Sequence, residues 1–309
     1  MRALKTSPRW RNYLLEIVVF VLGLISVNLI FIAKAFRQSG TVDPETAGQL
    51  GSFVGGYCGA IFALTGVVLL VATLRSQRDS LARQSFENRY FELIKMHRDN
   101  VAEVDLHGTS GARVFVLMLR ELRCVLEAVK KFEKSYNQKL DQRDRLQVAY
   151  FCLFFGVGPN STRMLKMSLT WLDKGFTAAL IRELEDPQTK ARVQADRKFA
   201  YTPFEGHQSR LGHYYRHLYQ LVDYVDHKIT DEAERYDYVK TVRAQLSTHE
   251  QALLLINSLT PMGKNWWTHD LLVKYRMVQN IPREFFDSST ELDLGTLFEA
   301  GYFEWEDPN

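Results

Sequence analysis

Two long apolar stretches near the amino terminus constrain this 309-residue chain more than any other feature. The first runs from Tyr13 to Ala33, and the second, from Gly51 to Leu74, contains no charged residue. A helix needs about 20 apolar residues to cross the roughly 30 Å hydrocarbon core of a bilayer, and both stretches reach that length. The sequence therefore predicts a transmembrane helical hairpin over residues 1–74, with spans at about 13–33 and 51–74.

The charges beside the two stretches predict the orientation of the hairpin. The segment before the first stretch carries Lys and Arg without Asp or Glu, the segment after the second is rich in Arg, and the segment between them is balanced. Positive residues are retained in the cytoplasm, so both termini are expected inside. Ala33-Lys34-Ala35 imitates a signal-peptidase site, but the apolar region before it is longer than the roughly 7–15 residues of a signal peptide.

The net charge argues against a nucleic-acid-binding domain. Of 39 Lys and Arg and 36 Asp and Glu, six and three lie in residues 1–74, which leaves 33 of each in the rest of the chain. An uncharged domain is a poor nonspecific binder of nucleic acid, whereas basic residues beside a membrane suit anionic lipid headgroups. Cys58, Cys124 and Cys152 are too few and too scattered for a disulfide framework or a zinc knuckle. We therefore expect membrane lipids as partners, no direct nucleic-acid binding and no cofactor.

Small residues recur every four positions in the second apolar stretch, at Gly51, Gly55, Gly59 and Ala63. Such a stripe lets another helix approach closely. That helix is either the first span of the same chain or a span of a second copy, in which case the chain forms a homo-oligomer. Asn28 in the first span is costly there without a partner, which points to a hydrogen bond between helices or, less favourably, to a water path.

Beyond Leu74 the sequence predicts an all-α architecture. A juxtamembrane helix is expected over 75–106, because this segment lacks Gly and Pro, and a cytoplasmic helical domain over 107–309. Within the domain, one helix is expected from about Ser161 to about Asp186, followed by a long connection over Pro187–Gly206 with two prolines. Ser247 and Glu250 have the spacing of a capping box at a helix start.

The helix expected at Gln208–Ile229 contains several histidines and permits three interpretations. His213 and His217, four residues apart, have the spacing of a metal-binding pair, but Tyr214 stands where a zinc protease would need Glu. Arg210 and His217 fit the loose arginine–histidine spacing of HEPN-type ribonucleases, in which His assists proton transfer and Arg stabilises the phosphate. Those enzymes usually have a polar residue after the Arg, whereas Leu211 follows here.

The favoured interpretation of this helix is a core-facing stripe with a polar layer. Apolar and aromatic residues recur three and four positions apart, at Leu211, Tyr214, Tyr215, Leu218, Leu221, Val222 and Val225. Buried Tyr and His need hydrogen-bond partners, and Arg216, Arg243, Gln245 and Glu250 are the candidates. A histidine-rich network of this kind is also suited to regulation.

Three blocks of the chain, at 83–101, 206–226 and 236–259, each contain a characteristic set of polar and aromatic residues. The pattern consists of Phe91 and His97 in the first block, Gly212, His213, Tyr215 and Arg216 in the second, and Arg243, Gln245, Leu246, Ser247 and Glu250 in the third. These blocks resemble the phage abortive-infection family, the AbiC-like membrane proteins of bacteria.

The resemblance implies a bacterial inner-membrane protein of antiphage defence, and it carries over no catalytic residue. Some two-span proteins of this kind are effectors of retron systems, so a reverse transcriptase–nucleic acid complex or another protein of the defence operon is an implied partner. The expected function is a toxic effector whose cytoplasmic domain senses infection or binds a partner and whose spans perturb the membrane. The alternatives are a membrane-tethered ribonuclease using Arg210 and His217, and a noncatalytic membrane scaffold.

Overall fold

A computed structural model of the protein describes residue 25 and residues 37–38, 41–158, 161–286 and 292–306. The described residues are mostly helical, which confirms the predicted fold class in its coarse form. They belong to two compact units, 1–82 and 83–309. Apart from Ile25, the first predicted span lies outside the described residues together with Asn28, so the hairpin stays a prediction.

The first unit leads into one long helix. Asp43 begins this helix by accepting hydrogen bonds from the amides of Glu45 and Thr46. From Pro44 to Glu103 it is the one helix among the described residues that is long and apolar enough to cross a membrane, and none of its most apolar part is buried. The juxtamembrane helix, predicted over 75–106, forms the last part of this long helix and ends at Glu103. The elements are β1 (Arg37–Gln38), β2 (Thr41–Val42), α1 (Pro44–Phe53), a π-helical turn (Val54–Cys58) and α2 (Gly59–Glu103).

The second unit is a helical domain with one short antiparallel hairpin. Its elements are β3 (Asp105–Leu106), β4 (Thr109–Ser110), α3 (Arg113–Ser135), α4 (Gln142–Phe155), α5 (Thr162–Ser168), α6 (Lys174–Glu185), α7 (Pro187–Arg197), α8 (Gln208–Lys228), α9 (Glu232–Arg243), α10 (Thr248–Ser258), α11 (Asn265–Thr268) and α12 (Leu271–Lys274), followed by 3-10 turns at Leu294–Thr296 and Glu304–Glu306.

The core of this domain is built around α3 and α4. Helix α3 packs against α4, α6 and α10, while α8 packs against α4 and α9. Buried side chains from these helices form one continuous hydrophobic cluster, which also includes the α2 residues Phe86, Tyr90 and Leu93. This arrangement places one face of α8 in the core and leaves the opposite side accessible.

Two predicted boundaries after residue 160 are wrong. The single helix expected to reach Asp186 is interrupted between Ser168 and Lys174, because Leu169 and Leu172 turn into the core and Asp173 caps a new helix. The expected connection over 187–206 contains α7, which begins with Asp186 as its cap and Pro187 in its first turn. Pro is favourable at the start of a helix, so this proline initiates a helix.

Candidate functional site

The start of α8 is fixed to the end of α4 by a close crossing of two glycines. At Gly156 (φ +74°) an added Cβ would lie 2.3 Å from the backbone of Glu205. At Gly206 (φ +89°) it would lie 2.3 Å from the carbonyl oxygen of Phe155. The amide of His207 completes the crossing by donating hydrogen bonds to two carbonyl oxygens near the end of α4. Only glycine permits this approach at both positions.

A buried carboxylate on α3 holds the segment that precedes α8. The carboxylate of Glu121 accepts hydrogen bonds from the Tyr201 hydroxyl at 2.8 Å and from the Phe204 amide at 2.8 Å. Nε2 of His207 lies 3.1 Å from the same carboxylate, and both side chains are buried. Three contacts to one buried carboxylate satisfy most of its hydrogen-bonding capacity and fix the residues immediately before α8.

The apolar stripe predicted for α8 is confirmed. The buried residues of this helix are Leu211, Tyr214, Tyr215, Leu218, Leu221, Val222 and Val225. The hydroxyl of Tyr215 lies beside that of Tyr150 but makes no hydrogen bond of good geometry. The stripe anchors α8 and directs the Gly212 side of the helix away from the core.

Two adjoining clefts lie on this Gly212 side, and we refer to them as the base cleft and the anion cleft. The base cleft measures about 410 Å³ and is lined by Phe154, Gly212, Tyr215, Arg216, Tyr219, Asn257, Met262, Gly263, Asn265 and Trp266. The anion cleft measures about 550 Å³ and is lined by Phe154, Phe155, Glu205, Gly206, Gln208, Ser209, Gly212, His213 and Arg216. Phe154, Gly212 and Arg216 line both clefts, so the two form one continuous groove.

Together with Glu205 of the anion cleft, Arg216 supplies the formal charge of the groove, and it lines both clefts. Its side chain is exposed and makes no ion pair or hydrogen bond with the described residues. His213, one turn earlier, is exposed as well. The structure therefore places these two members of the predicted polar core outside the core, where a bound molecule could reach them.

The alternative ribonuclease pair lies on a different face of α8. Seven residues are about two helical turns, so Arg210 and His217 share a face, whereas Gly212 is rotated by about 200° from Arg210. The guanidinium of Arg210 donates from Nε to the carbonyl oxygen of Asp105 at 2.8 Å. Both side chains are half-buried. The pair therefore does not contribute to the groove.

His97, Tyr215, Arg243 and Glu250 are the buried members of the predicted network, and Tyr214 lies between His97 and Glu250. The rings of His97 and Tyr214 are 5.2 Å apart, and neither ring nitrogen of His97 has a hydrogen-bond partner among the described residues. Burial, with a smaller contribution from the nearby His217, lowers the pKa of His97 to about 4. The Tyr214 hydroxyl donates to the buried carboxylate of Glu250, which also closes the predicted capping box with Ser247.

Arg243 and Gln245 occupy contrasting positions at the end of α9. The buried guanidinium of Arg243 donates from Nη1 to the carbonyl oxygens of Tyr275 at 2.9 Å and Arg276 at 3.3 Å. Gln245 is exposed in the turn after α9, and its side-chain amide reaches the carbonyl oxygen of Thr241 in α9 at 3.5 Å. Arg243 therefore holds the turn after α12, while Gln245 lies at the surface.

The small residues predicted to pack helices in the membrane are all exposed. An added Cβ at Gly51, Gly55 or Gly59 would meet no heavy atom within 4 Å, and Ala63 is exposed on the same helix. A π-helical turn, Val54–Cys58, lies in the middle of this stripe. Within the described ranges, no three His, Cys, Asp or Glu side chains converge as metal ligands.

Several residues that shape the site were missed by sequence reasoning. Glu121 follows Met118 at helical spacing within the buried stripe of α3, and a lone carboxylate in such a stripe is a readable signal. Gly263 in the base cleft packs so close to the carbonyl oxygen of Asn257 that an added Cβ would lie 2.5 Å from it. No local pattern in the sequence announces that contact.

Comparison with known families supports the resemblance. Residues 206–286 match the sequence model of a family described as "Putative phage abortive infection protein". The AbiC-like resemblance is thereby confirmed over this segment, which includes every α8 residue that lines the groove. Phe91 and His97 lie outside it. Comparison with curated proteins and with solved structures gives no significant match.

Proposed function

Because residues 206–286 carry an abortive-infection domain, we propose that this protein is a membrane-bound effector of phage defence. In this proposal the apolar part of the helix beginning at Pro44 crosses the bacterial inner membrane, and both termini of the protein lie in the cytoplasm. The domain from Arg83 onward senses infection or binds a defence partner. The observation that carries the proposal is the presence of this family domain in one chain with a long, uncovered apolar helix.

The apolar part of α2 supports the membrane location. Its large aliphatic and aromatic side chains, among them Phe62, Leu64, Val68 and Leu70, are exposed. Soluble monomers rarely expose apolar patches beyond a few hundred Å², because water contact with such surface is unfavourable. A lipid environment removes that cost.

The exposed small residues support a role in assembly. Gly55 and Gly59 have free space around them, so another helix can approach the backbone there. We propose that activation brings copies of the chain together through this face and that the assembled spans make the membrane permeable. The proposal assigns no catalytic step to the cytoplasmic domain.

Membrane potential in infected bacteria tests this function. A voltage-sensitive dye would follow cells carrying the wild-type protein, with the neighbouring genes of its locus, before phage lysis begins. The test variant carries Gly55→Leu and Gly59→Leu. Ala72→Leu is the control, because it enlarges a side chain of the same apolar helix at an exposed position about 140° around the helix from Gly59.

We expect wild type and Ala72→Leu to depolarise early and to protect the culture, and the double variant to do neither at equal protein level. Protection with an intact potential in wild type would contradict an action on the membrane. Depolarisation by the double variant would contradict the role of the small-residue face.

A further inference from the structure

The groove beside α8 has the dimensions of a small-molecule site. Its two parts, about 410 and 550 Å³, each fall within the roughly 300–1,000 Å³ range typical of ligand pockets. They meet at Gly212 and Arg216, so a single ligand can extend from one part into the other.

The anion cleft offers one full positive charge with several hydrogen-bonding groups beside it. The planar guanidinium of Arg216 is exposed and has no partner among the described residues, and it can bind a phosphate through two parallel N–H groups. Gln208, Ser209 and His213 are exposed along the same lining. Glu205 lines the cleft as well, and its carboxylate opposes a ligand with several negative charges. This balance favours one phosphate group over a polyphosphate.

The base cleft differs in chemistry. Phe154, Tyr215, Tyr219, Met262 and Trp266 give it an apolar and aromatic wall, of which Tyr219 is half-buried and Met262 exposed. The exposed side-chain amide of Asn265 adds both a donor and an acceptor at the edge. A nucleobase has the matching combination of flat apolar faces and a polar edge.

Gly212 provides an independent indication that the groove is kept open. A Cβ added there would meet only the tip of the Phe154 ring, at 3.9 Å, so packing within the protein does not require glycine. Glycine inside a helix is less favourable than alanine. Because Gly212 lies at the junction of the two clefts, the space left by its missing side chain belongs to the groove.

From the joined clefts, the unpaired Arg216 and the open junction at Gly212, we propose that the groove binds a nucleoside monophosphate. The phosphate lies against Arg216 in the anion cleft, and the base lies against the apolar wall of the base cleft. Binding of this ligand does not depend on the proposed membrane activity, so the two proposals fail separately.

Isothermal titration of the full-length protein in detergent tests this site. The probes are AMP, GMP, CMP and UMP, with adenosine, guanosine, cytidine and uridine, inorganic phosphate and a short single-stranded oligonucleotide in parallel. Arg216→Gln removes the phosphate contact, and Gly212→Leu fills the junction. Lys228→Gln is the matched control, since it removes the same charge from an exposed position on the same helix, about 18 Å along its axis.

We expect at least one monophosphate to bind with at least tenfold higher affinity than its own nucleoside or inorganic phosphate. Arg216→Gln should weaken that binding at least tenfold, and Gly212→Leu should abolish it. Both variants should keep the thermal unfolding midpoint of the wild type or, for Gly212→Leu, exceed it. Lys228→Gln should bind as wild type does.

The absence of binding by all four monophosphates would overturn the proposal. Equal affinity of wild type and Arg216→Gln would overturn the placement of the phosphate. Inorganic phosphate binding as tightly as the nucleotides would show a site for small anions only. Tighter binding of the oligonucleotide than of any monophosphate would show a nucleic-acid site instead.

Discussion

Both halves of α2 carry large apolar side chains, but those of the first half are exposed and several of those in the second half are buried. In the first half, Leu64 and Leu70 are 66% and 58% exposed. In the second half, Tyr90 and Leu93 are 1% and 4% exposed, because they pack into the hydrophobic cluster of the helical domain. One continuous helix therefore has an exposed apolar half and a half that packs into the core of the helical domain.

The difference separates residues that stabilise the fold from residues that no described part of the chain covers. Burial of apolar surface contributes about 25 cal/mol per Å², so the second half stabilises the domain by its own contacts. The described residues do not cover the first half, so lipid, the first predicted span or another copy must supply that contribution. Substitutions in the two halves, and in the domain that covers the second half, should therefore change the free energy of unfolding by different amounts.

The largest effect is expected at the buried carboxylate of the domain. Glu121→Ala should lower the free energy of unfolding by about 4 kcal/mol, because it leaves His207 and two hydrogen-bond donors without their buried partner. Urea unfolding in detergent, followed by far-UV circular dichroism, measures this loss.

Glu127→Ala is the control on the same helix. Its exposed ion pair with Arg197, 2.9 Å long, should contribute less than about 1 kcal/mol. Similar losses for the two variants would contradict the assignment of Glu121 as an internal anchor.

A matched pair of leucines tests the comparison within α2 itself. Leu93→Ala should cost about 3 kcal/mol through lost burial and a cavity, and Leu70→Ala less than about 0.5 kcal/mol in the same urea titration. A cost at Leu70 equal to that at Leu93 would mean that the first half of α2 is covered within the chain.

The pH dependence of stability should reveal the contribution of the buried His97 side chain. Its pKa is lowered to about 4 by burial and by His217, whereas an unfolded His titrates near 6.5. Above pH 6.5 the His97 side chain is neutral in both the folded and the unfolded state. Between pH 6.5 and 4, His97 takes up a proton in the unfolded state but not in the folded state. The free energy of unfolding therefore falls by up to about 3 kcal/mol.

The variant His97→Leu should not lose this share of its stability. The difference in unfolding free energy between variant and wild type should therefore grow in favour of the variant as the pH falls from 7 to 4.5. Leu70→Ala removes no titratable group, so it is the control and should show no such trend. A difference at His97 that is independent of pH would contradict a buried, neutral histidine.

Small but different losses of stability are expected at two neighbouring tyrosines of α8. Tyr214→Phe removes a hydrogen bond to the buried Glu250 and should cost about 1 kcal/mol. Tyr215→Phe removes a hydroxyl without a well-formed hydrogen bond and should change stability by less than about 0.5 kcal/mol. Thermal unfolding of the two single variants checks this order, and the reverse order would refute the hydrogen-bond assignment.

Local patterns predicted the parts of the fold that local forces decide. The stripe from Leu211 to Val225 follows the helical period, and the capping box of Ser247 and Glu250 uses hydrogen bonds within one turn. Both could be predicted from neighbouring residues alone. The family resemblance likewise followed short blocks of sequence, and the matched segment 206–286 contains two of the three.

Contacts between distant segments account for what the sequence did not predict. The helix break before Lys174 depends on Leu169 and Leu172 turning into a core formed by other helices. The crossing of Gly156 with Gly206 joins residues fifty positions apart, and neither glycine reveals its partner. The groove was missed for the same reason, since α4, α8 and α11 contribute to it together.

Replacement of the anchor tests the central claim that the apolar segment acts on the membrane. Residues 1–74 would be exchanged for an unrelated two-span anchor with cytoplasmic termini, and phage protection would be measured at equal membrane abundance. The account predicts a protein that is located in the membrane and folded but gives no protection and no depolarisation. Full protection by the exchanged protein would contradict the account and would identify the chain as a scaffold whose anchor only localises it.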